Sequence, residues 1–451
     1  MSRLASHVSR ITHHAALRVF LLALFVYGFS AQVWAHAVSL APHYVYLAYS
    51  LLHRHVDLIQ LPPTTYDLLQ HNGQWFVAGS PMPSILMLPF VAIFGAGFSD
   101  VLFSVVVGAI DVALVYLLLG NLARGLVSTD NPQAQPSQGF GIAISESARR
   151  WITLLFALGT PFWYLASLGT YWFTAHVVVV LFTLLATREA LTKQRWFLAG
   201  AWLACAGFAR PTALFLAPFF LIVIFHGVRS THDAPRFTPY VLRSLALFTL
   251  ALLIGIGAHF AYNYARFKSF TDFGYAYVAG ADNIMNVYAR YGGFNPRFVP
   301  CNLAVSLIAP PEVNGAVPSF ITQPCAYLLE GVNLADTSAL ITPNPLGMSI
   351  FFVTPALLLI FTTFKRYPLI LAAWIGLLTT LIPLWFYHNT GSLQFGWRYL
   401  FDAAPMWIIL LAAGMQKVTR LKQGLILVSI VINLWGMLWM FEKLIGKPWG
   451  M

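Results

Sequence analysis

Residues 170–187 read TYWFTAHVVVVLFTLLAT, a run without Asp, Glu, Lys or Arg and with a single histidine, His176. At about 1.5 Å of helical rise per residue, such a run approaches the roughly 30 Å hydrocarbon thickness of a bilayer. Similar runs recur near 16–35, 98–121, 150–168, 196–209, 211–226, 238–262, 347–363, 367–387, 399–415 and 424–441, which predicts about eleven crossings. Composition agrees: 59% of the 451 residues are apolar and 9% charged, with a mean hydropathy of +0.71. The chain is therefore read as an all-α polytopic membrane protein with extracytoplasmic interfacial helices.

The net charge of +11 does not argue for nucleic acid, because the basic residues fall in short connections between spans. There they set orientation, since Lys and Arg are retained on the cytoplasmic side. With the N-terminus inside, Arg149, Arg150, Arg188, Lys193, Arg195, Lys417, Arg420 and Lys422 all fall inside. Residues 1–35 are expected to be an uncleaved transmembrane anchor and 36–97 a first extracytoplasmic loop with interfacial helices. A transmembrane bundle over 98–262, a long extracytoplasmic loop over 263–346 and C-terminal transmembrane helices over 347–451 complete the division. Segment 82–97 is apolar but short and carries Pro83 and Pro89, so it is expected to lie along the interface. The stretch TDNPQAQPSQG within 122–150 reads as a flexible linker. Cys301 and Cys325 share the long loop and are candidates to pair where that loop meets an oxidising compartment.

Polar residues gather in three places on the predicted outside face. The first is HYVYLAYSLLHRHVDL, residues 43–58, followed by TYDLLQHNGQWFV, residues 65–77; it carries His43, Tyr44, Asp57 and Asp67 in a chain with only 15 acidic residues. The second is Tyr262-Asn263-Tyr264-Ala265-Arg266 at the outer end of a span, and the third is YHNTGSLQFGWRYLFDAAP, with Arg398, Tyr399 and Asp402. Acids grouped beside a bilayer need a reason, and a cation facing them is what a site needs to hold a phosphate while a carboxylate handles a proton.

These motifs, with GTPFWYLASLGTYWFTAHVVVVLF, GFARPTALFLAPFF and YNYARFKSFTDFGY between them, resemble bacterial membrane glycosyltransferases of the GT-C superfamily. Protein O-mannosyltransferases and the aminoarabinose transferase of lipid A are relatives. The order of the motifs, from the first outside loop to about residue 415, carries the resemblance more than any one of them. It implies an integral protein of the bacterial cytoplasmic (inner) membrane with its active site on the extracytoplasmic side. The implied reaction moves a sugar from a polyprenyl-phosphate donor to an acceptor hydroxyl on a glycan, lipid or protein. It also implies an acid in the first outside loop, acting as base or linked to a metal. Here the chain departs: the family's acidic pair stands just ahead of the tyrosine matched by Tyr44, where this sequence has Ser39-Leu40-Ala41-Pro42-His43.

The carboxylate must then be chosen on physical grounds among Asp67, Asp57 and, as a non-acid, His43. Asp67 ranks first because the rigid Pro62-Pro63 approach precedes it and the interfacial segment follows; Asp57 ranks second, and also fits a plain helix-terminal acid. Arg398 is the first choice for the phosphate, since guanidinium offers a fork of donors matched to phosphate oxygens, with Tyr399, Arg266, Asn263, His43 and Tyr44 as further substrate-binding candidates. Arg210 reads as a partner for backbone freed before Pro211, and His176 as a buried structural hydrogen bond. No cofactor is implied with certainty: a divalent metal lacks a ligand motif, because His53, His55 and Asp57 at i, i+2 diverge on a helix. No Ser or Cys stands in an activating context. The rival readings are a transporter or flippase of a lipid-linked or amphipathic substrate, which would concentrate polar groups near the bilayer midplane, and a noncatalytic assembly subunit.

Overall fold

The computed structural model describes residues 2–124, 142, 144–229, 234–280, 282–329, 339–362 and 367–446; the predicted linker centred on 129–139 lies outside them. Helix α1 (Ser2–Ala31) leads into α2 (His43–Leu52), a hairpin of β1 (Leu68–His71) and β2 (Gln74–Val77), and α3 (Met82–Phe94). Then follow α4 (Asp100–Arg124), α5 (Glu146–Leu158), α6 (Phe162–Leu168), α7 (Tyr171–Thr192), α8 (Trp196–Gly207), α9 (Ala217–Arg229) and α10 (Ala234–Phe267). The segment after α10 holds the amphipathic α11 (Asp282–Tyr291) and the short α12 (Val299–Leu303), α13 (Ser319–Thr322) and α14 (Ala326–Leu329), with β3 (Glu312–Val313) paired to β4 (Ile341–Thr342). The chain closes with α15 (Ile350–Val353), α16 (Pro368–Trp385), α17 (Ala404–Gly414) and α18 (Arg420–Leu444).

Among the described residues six helices are long and apolar enough to cross a membrane: α1 from His14, α4, α7, α10 from Pro239, α16 and α18. A seventh span results if α5 and α6, bent by 53° at their junction, count as one. Full-length helices among the described residues are thus fewer than the roughly eleven apolar runs of the sequence, several of which form shorter apolar helices. The reason is local: Pro211 opens a 3₁₀ stretch at Pro211–Leu216 ahead of α9, Pro355 opens another after α15, and Arg398–Ala403 is 3₁₀ ahead of α17. Proline removes a backbone donor, and 3₁₀ turns are the usual short substitute where an α-helix is interrupted. Segment 82–97 folds into the 13-residue α3 with Pro89 inside it, shorter than a span requires.

Within residues 36–97, His71-Asn72-Gly73 forms the tip of the β1–β2 hairpin, in register Leu68 with Val77 through His71 with Gln74. Asn72 and Gly73 both have positive φ, 49° and 77°, as a two-residue Asn-Gly hairpin turn demands. Tyr262 through Phe267 continue α10, with Arg266 in the last turn, where a cation complements the helix dipole.

Side chains of α4, α5, α7 and α17 supply much of one continuous buried apolar core. Helix α7 packs on α4 and α8, α8 on α10, and α16 on α9 and α17. Asp111 of α4 is fully buried and makes no hydrogen bond among the described residues. Cys301 and Cys325 are joined by a disulfide across the long segment, with Cα atoms 4.9 Å apart. Both thiols should therefore resist alkylation in intact membranes until a reductant is added; prompt labelling of both without reductant would contradict the pairing and the oxidising side it requires.

Candidate functional site

Asp67 occupies a left-handed backbone conformation, φ 62°, which costs a non-glycine residue about 1–2 kcal/mol. It is held there from two directions. Its N–H donates to the Ala279 carbonyl at 2.9 Å while the Ala279 N–H donates to the Leu68 carbonyl at 2.8 Å, so the segment after α10 pairs with the start of β1. On its other side the Trp172 indole N–H donates to the Asp67 Oδ2 at 2.8 Å, and Trp172 stands in the first turn of α7. The carboxylate is thereby fixed between a loop and a helix terminus rather than left in solvent.

Asp67 lines a cavity of about 370 Å³ where several helix ends meet. Three arginines face the same space: Arg210 from the turn between α8 and Pro211, Arg266 from the end of α10, and Arg398 from the 3₁₀ stretch ahead of α17. Aromatic walls are supplied by Tyr44, Tyr171, Trp172, Tyr275, Tyr387 and Tyr399, with His259 and His388 among them. The basic connections Arg188–Arg195 and Lys417–Lys422 sit at the opposite ends of α7, α8 and α17, whose near ends border the cavity.

Burial raises the Asp67 carboxyl above its ordinary range, while the Trp172 and Tyr171 hydrogen bonds and the charge of Arg398 pull it partly back. A carboxylate whose pKa is raised toward the working pH is better matched to taking a proton. Burial also lowers His388, to about 4, so it is a neutral donor or acceptor at the wall. The Tyr44 hydroxyl is pushed up by burial, stays protonated, and has no hydrogen-bond partner among the described residues.

The arginines differ in how much of their donor capacity is already used. Arg266 donates from Nη2 to Asn263 Oδ1 at 2.8 Å and from Nη1 to the Val77 carbonyl at 3.1 Å, and its guanidinium carbon lies 4.2 Å from the Tyr262 ring centroid. Arg398 donates from Nη1 to the Leu393 carbonyl at 3.3 Å, and its backbone N–H is held by Gln394 Oε1 at 3.0 Å. Arg210 donates through Nε to Asp402 Oδ1 at 2.7 Å. The guanidinium carbons of Arg210 and Arg398 lie 5.2 and 5.6 Å from the centroid of the same ring, Tyr399, within cation–π range.

Of the residues singled out in the sequence, Asp67, Tyr44, Arg266, Arg398 and Tyr399 line this cavity together. His43 and Asn263 stand behind its wall: His43 stacks on Tyr171 with centroids 4.5 Å apart, and Asn263 orients Arg266. Asp57 does not reach it. Its carboxylate bonds instead to His55 Nδ1 at 3.1 Å and accepts from Gln74 Nε2 at 3.3 Å on the outer side of the hairpin. Arg210 is not a backbone partner at a helix break, because its guanidinium engages Asp402. Trp172, Tyr275, Tyr387 and His388 escaped the sequence reading, as interfacial aromatics carry no distinguishing signal.

A divalent cation fits this donor set poorly. Asp67 is the one carboxylate lining the cavity among the described residues, three guanidiniums face it, and no group of three His, Cys, Asp or Glu side chains is placed to hold a metal. Hard divalent ions favour several oxygen ligands, carboxylates above all.

Among solved structures the chain is similar to ArnT from Cupriavidus metallidurans bound to undecaprenyl phosphate, with 14% identity over 95% of this chain and a TM-score of 0.46. The apo oligosaccharyltransferase of Archaeoglobus fulgidus gives 14% identity over 96% of the chain and a TM-score of 0.42. The archaeal oligosaccharyltransferase AglB of the same organism, in complex with an inhibitory peptide and a dolichol-phosphate, gives 14% over 95% and 0.38. The chain spans 63%, 56% and 55% of the lengths of these three chains. No protein-family model and no curated protein matches it.

Gly79 shows how tightly the cavity is drawn. A Cβ there would collide with the Tyr44 hydroxyl, whose ring is buried and packed edge-on to Tyr171. Gly79→Ala is expected to displace Tyr44 and cost about 1–3 kcal/mol of stability by overpacking, seen as a lowered Tm. An unchanged Tm together with unchanged ligand binding would show that Tyr44 does not close this wall.

Proposed function

We propose that the chain is a GT-C membrane glycosyltransferase that moves a sugar from a polyprenyl-phosphate donor to an acceptor hydroxyl. The observation that carries the reading is the convergence of Asp67 and Arg398, remote along the chain, on one cavity shared with Arg210 and Arg266. In this reaction the acceptor oxygen attacks the anomeric carbon and forms the new glycosidic C–O bond. The bond from that carbon to the phosphate oxygen breaks, polyprenyl phosphate departs, and the acceptor proton passes to Asp67. Guanidinium donors stabilise the charge that grows on the departing phosphate, where preorganised donors contribute most in a water-poor site. Tyr399 supports both Arg210 and Arg398, and Asn263 keeps Arg266 aimed at the wall.

The reading sets the cavity on the extracytoplasmic side of a bacterial inner membrane. Two observations support that side: the basic connections lie at the opposite helix ends, where the cytoplasmic excess of Lys and Arg belongs, and the outer segment carries the Cys301–Cys325 disulfide. A transporter is less favoured, because the charged groups that line the cavity come from helix ends and loops and not from midplane breaks in paired repeats.

The decisive assay is transfer by purified protein from a panel of polyprenyl-phosphate sugars. Asp67→Asn should lower kcat by about 10²–10⁴-fold, while Asp57→Asn keeps near wild-type turnover. Because Asp67 must be ionised to accept a proton and its carboxyl is raised, kcat/KM should fall as pH drops through a midpoint above the ordinary carboxylate range. Wild-type turnover in Asp67→Asn, or loss confined to Asp57→Asn, would overturn the assignment of the base.

A further inference from the structure

Asp402 is a carboxylate with no exposure at all, and it does not line the cavity. Three side chains from two segments, α7 and the turn and 3₁₀ stretch after α8, converge on it. Arg210 Nε donates to Oδ1 at 2.7 Å, the Thr212 hydroxyl donates to Oδ2 at 2.5 Å, and His176 Nδ1 lies 3.1 Å from Oδ1. Facing an ionised, acceptor-only carboxylate, that ring nitrogen must carry the proton. Asp402 is therefore fully satisfied, and it cannot itself touch a substrate.

Arg210 is the asymmetric member of the group. Arg–carboxylate pairs are frequently bidentate, with the guanidinium fork on both oxygens, but here Thr212 occupies the second oxygen and Arg210 spends only Nε. Its two terminal nitrogens make no protein hydrogen bond among the described residues, and the side chain keeps 19% exposure toward the cavity it lines. By contrast Arg266 has both terminal nitrogens engaged, and Arg398 has one. Arg210 thus brings the most unspent terminal N–H groups to the space, on the ring of Tyr399 that also supports Arg398.

We propose that Asp402, braced by Thr212 and His176, is a positioning residue that fixes Arg210 so its free terminal N–H groups hold the phosphate of the lipid carrier together with Arg398. The inference rests on the glycosyltransferase reading for the identity of the phosphate's carrier. It ranks Arg210 above Arg266 as a phosphate donor. Asp402 acts by cancelling the charge cost of burying Arg210 and by fixing its orientation, because an unpaired buried charge is far more costly than a paired one.

The test is direct binding of a polyprenyl phosphate to the full-length protein in nanodiscs, with the matching polyprenyl alcohol as control, alongside kcat and KM for transfer. Arg210→Ala and Asp402→Asn are each expected to weaken polyprenyl-phosphate binding at least about tenfold, as loss of a charge-assisted contact does, and to leave the alcohol's binding unchanged. The double variant should be no weaker than Arg210→Ala alone, since Asp402 acts through Arg210. Thr212→Val, which frees one oxygen of Asp402 without removing charge, should give a smaller loss in the same direction and keeps the test open if Asp402→Asn does not fold. Unchanged phosphate binding in Arg210→Ala, additive losses in the double variant, or a Thr212→Val protein with lowered Tm and intact phosphate binding would each overturn the proposal. If Arg210-dependent phosphate binding is found in a protein that transfers no sugar, the inference stands and the activity reading fails; if the wild type binds no polyprenyl phosphate, both fall.

Discussion

Two backbone hydrogen bonds hold the site together: Asp67 to Ala279 and Ala279 to Leu68. They join the loop before β1 to the segment after α10 and help to hold Asp67 at φ 62°. The acidic side of the cavity follows from that closure. It presses the Asn-Gly hairpin against the end of α10, where Phe267 packs with Phe76 and Leu69 in a small cluster of its own. It brings Val77 within reach of Arg266, and it leaves the Asp67 carboxylate on the indole of Trp172. A strained residue held by its surroundings beside a cavity is a common signature of a functional site.

The membrane helices explain why such closure is possible. Helices that end at Gly207 and Trp385, and the 3₁₀ stretch before Ala404, are followed or formed by residues that line the cavity, and irregular backbone in a membrane protein is tolerated where it lines a cavity. The buried Arg210–Asp402–His176 group ties α7, the turn after α8 and the approach to α17. Tyr399 then lies between that group and Arg398, so the cationic wall is anchored in the bundle while the acidic wall hangs on loops.

Much of this was legible because polar residues are scarce in an apolar chain, and each one demands an account. Asp67, Arg398, Tyr399, Tyr44 and Arg266 were singled out on that ground, and they line one cavity. Asp57 shows the limit of the same argument: it lies in the irregular stretch between α2 and β1 and is held by His55 and Gln74, and no periodicity there tells which way a side chain turns. The hairpin was hidden in a segment read as interfacial helix and polar turn, although Leu-Leu-Gln-His-Asn-Gly-Gln-Trp-Phe-Val is a strand pair around an Asn-Gly turn. Arg210 and His176 were assigned bland roles since their shared partner, Asp402, is 192 and 226 residues away; no local spacing encodes such a contact. The helix lengths were not legible for a related reason, as hydropathy registers apolar length but not where prolines end a helix early.

The central claim is that phosphate and acid chemistry share one enclosed space bounded by Asp67 and the arginines. A structure of the protein with a polyprenyl phosphate bound tests it most directly. The account predicts the phosphate oxygens in this cavity, about 2.7–2.9 Å from guanidinium nitrogens of Arg398 and Arg210, with Asp67 facing the space where a sugar would project. A phosphate seated at the opposite helix ends, among the basic turns, or in any cavity that Asp67 does not border would contradict it.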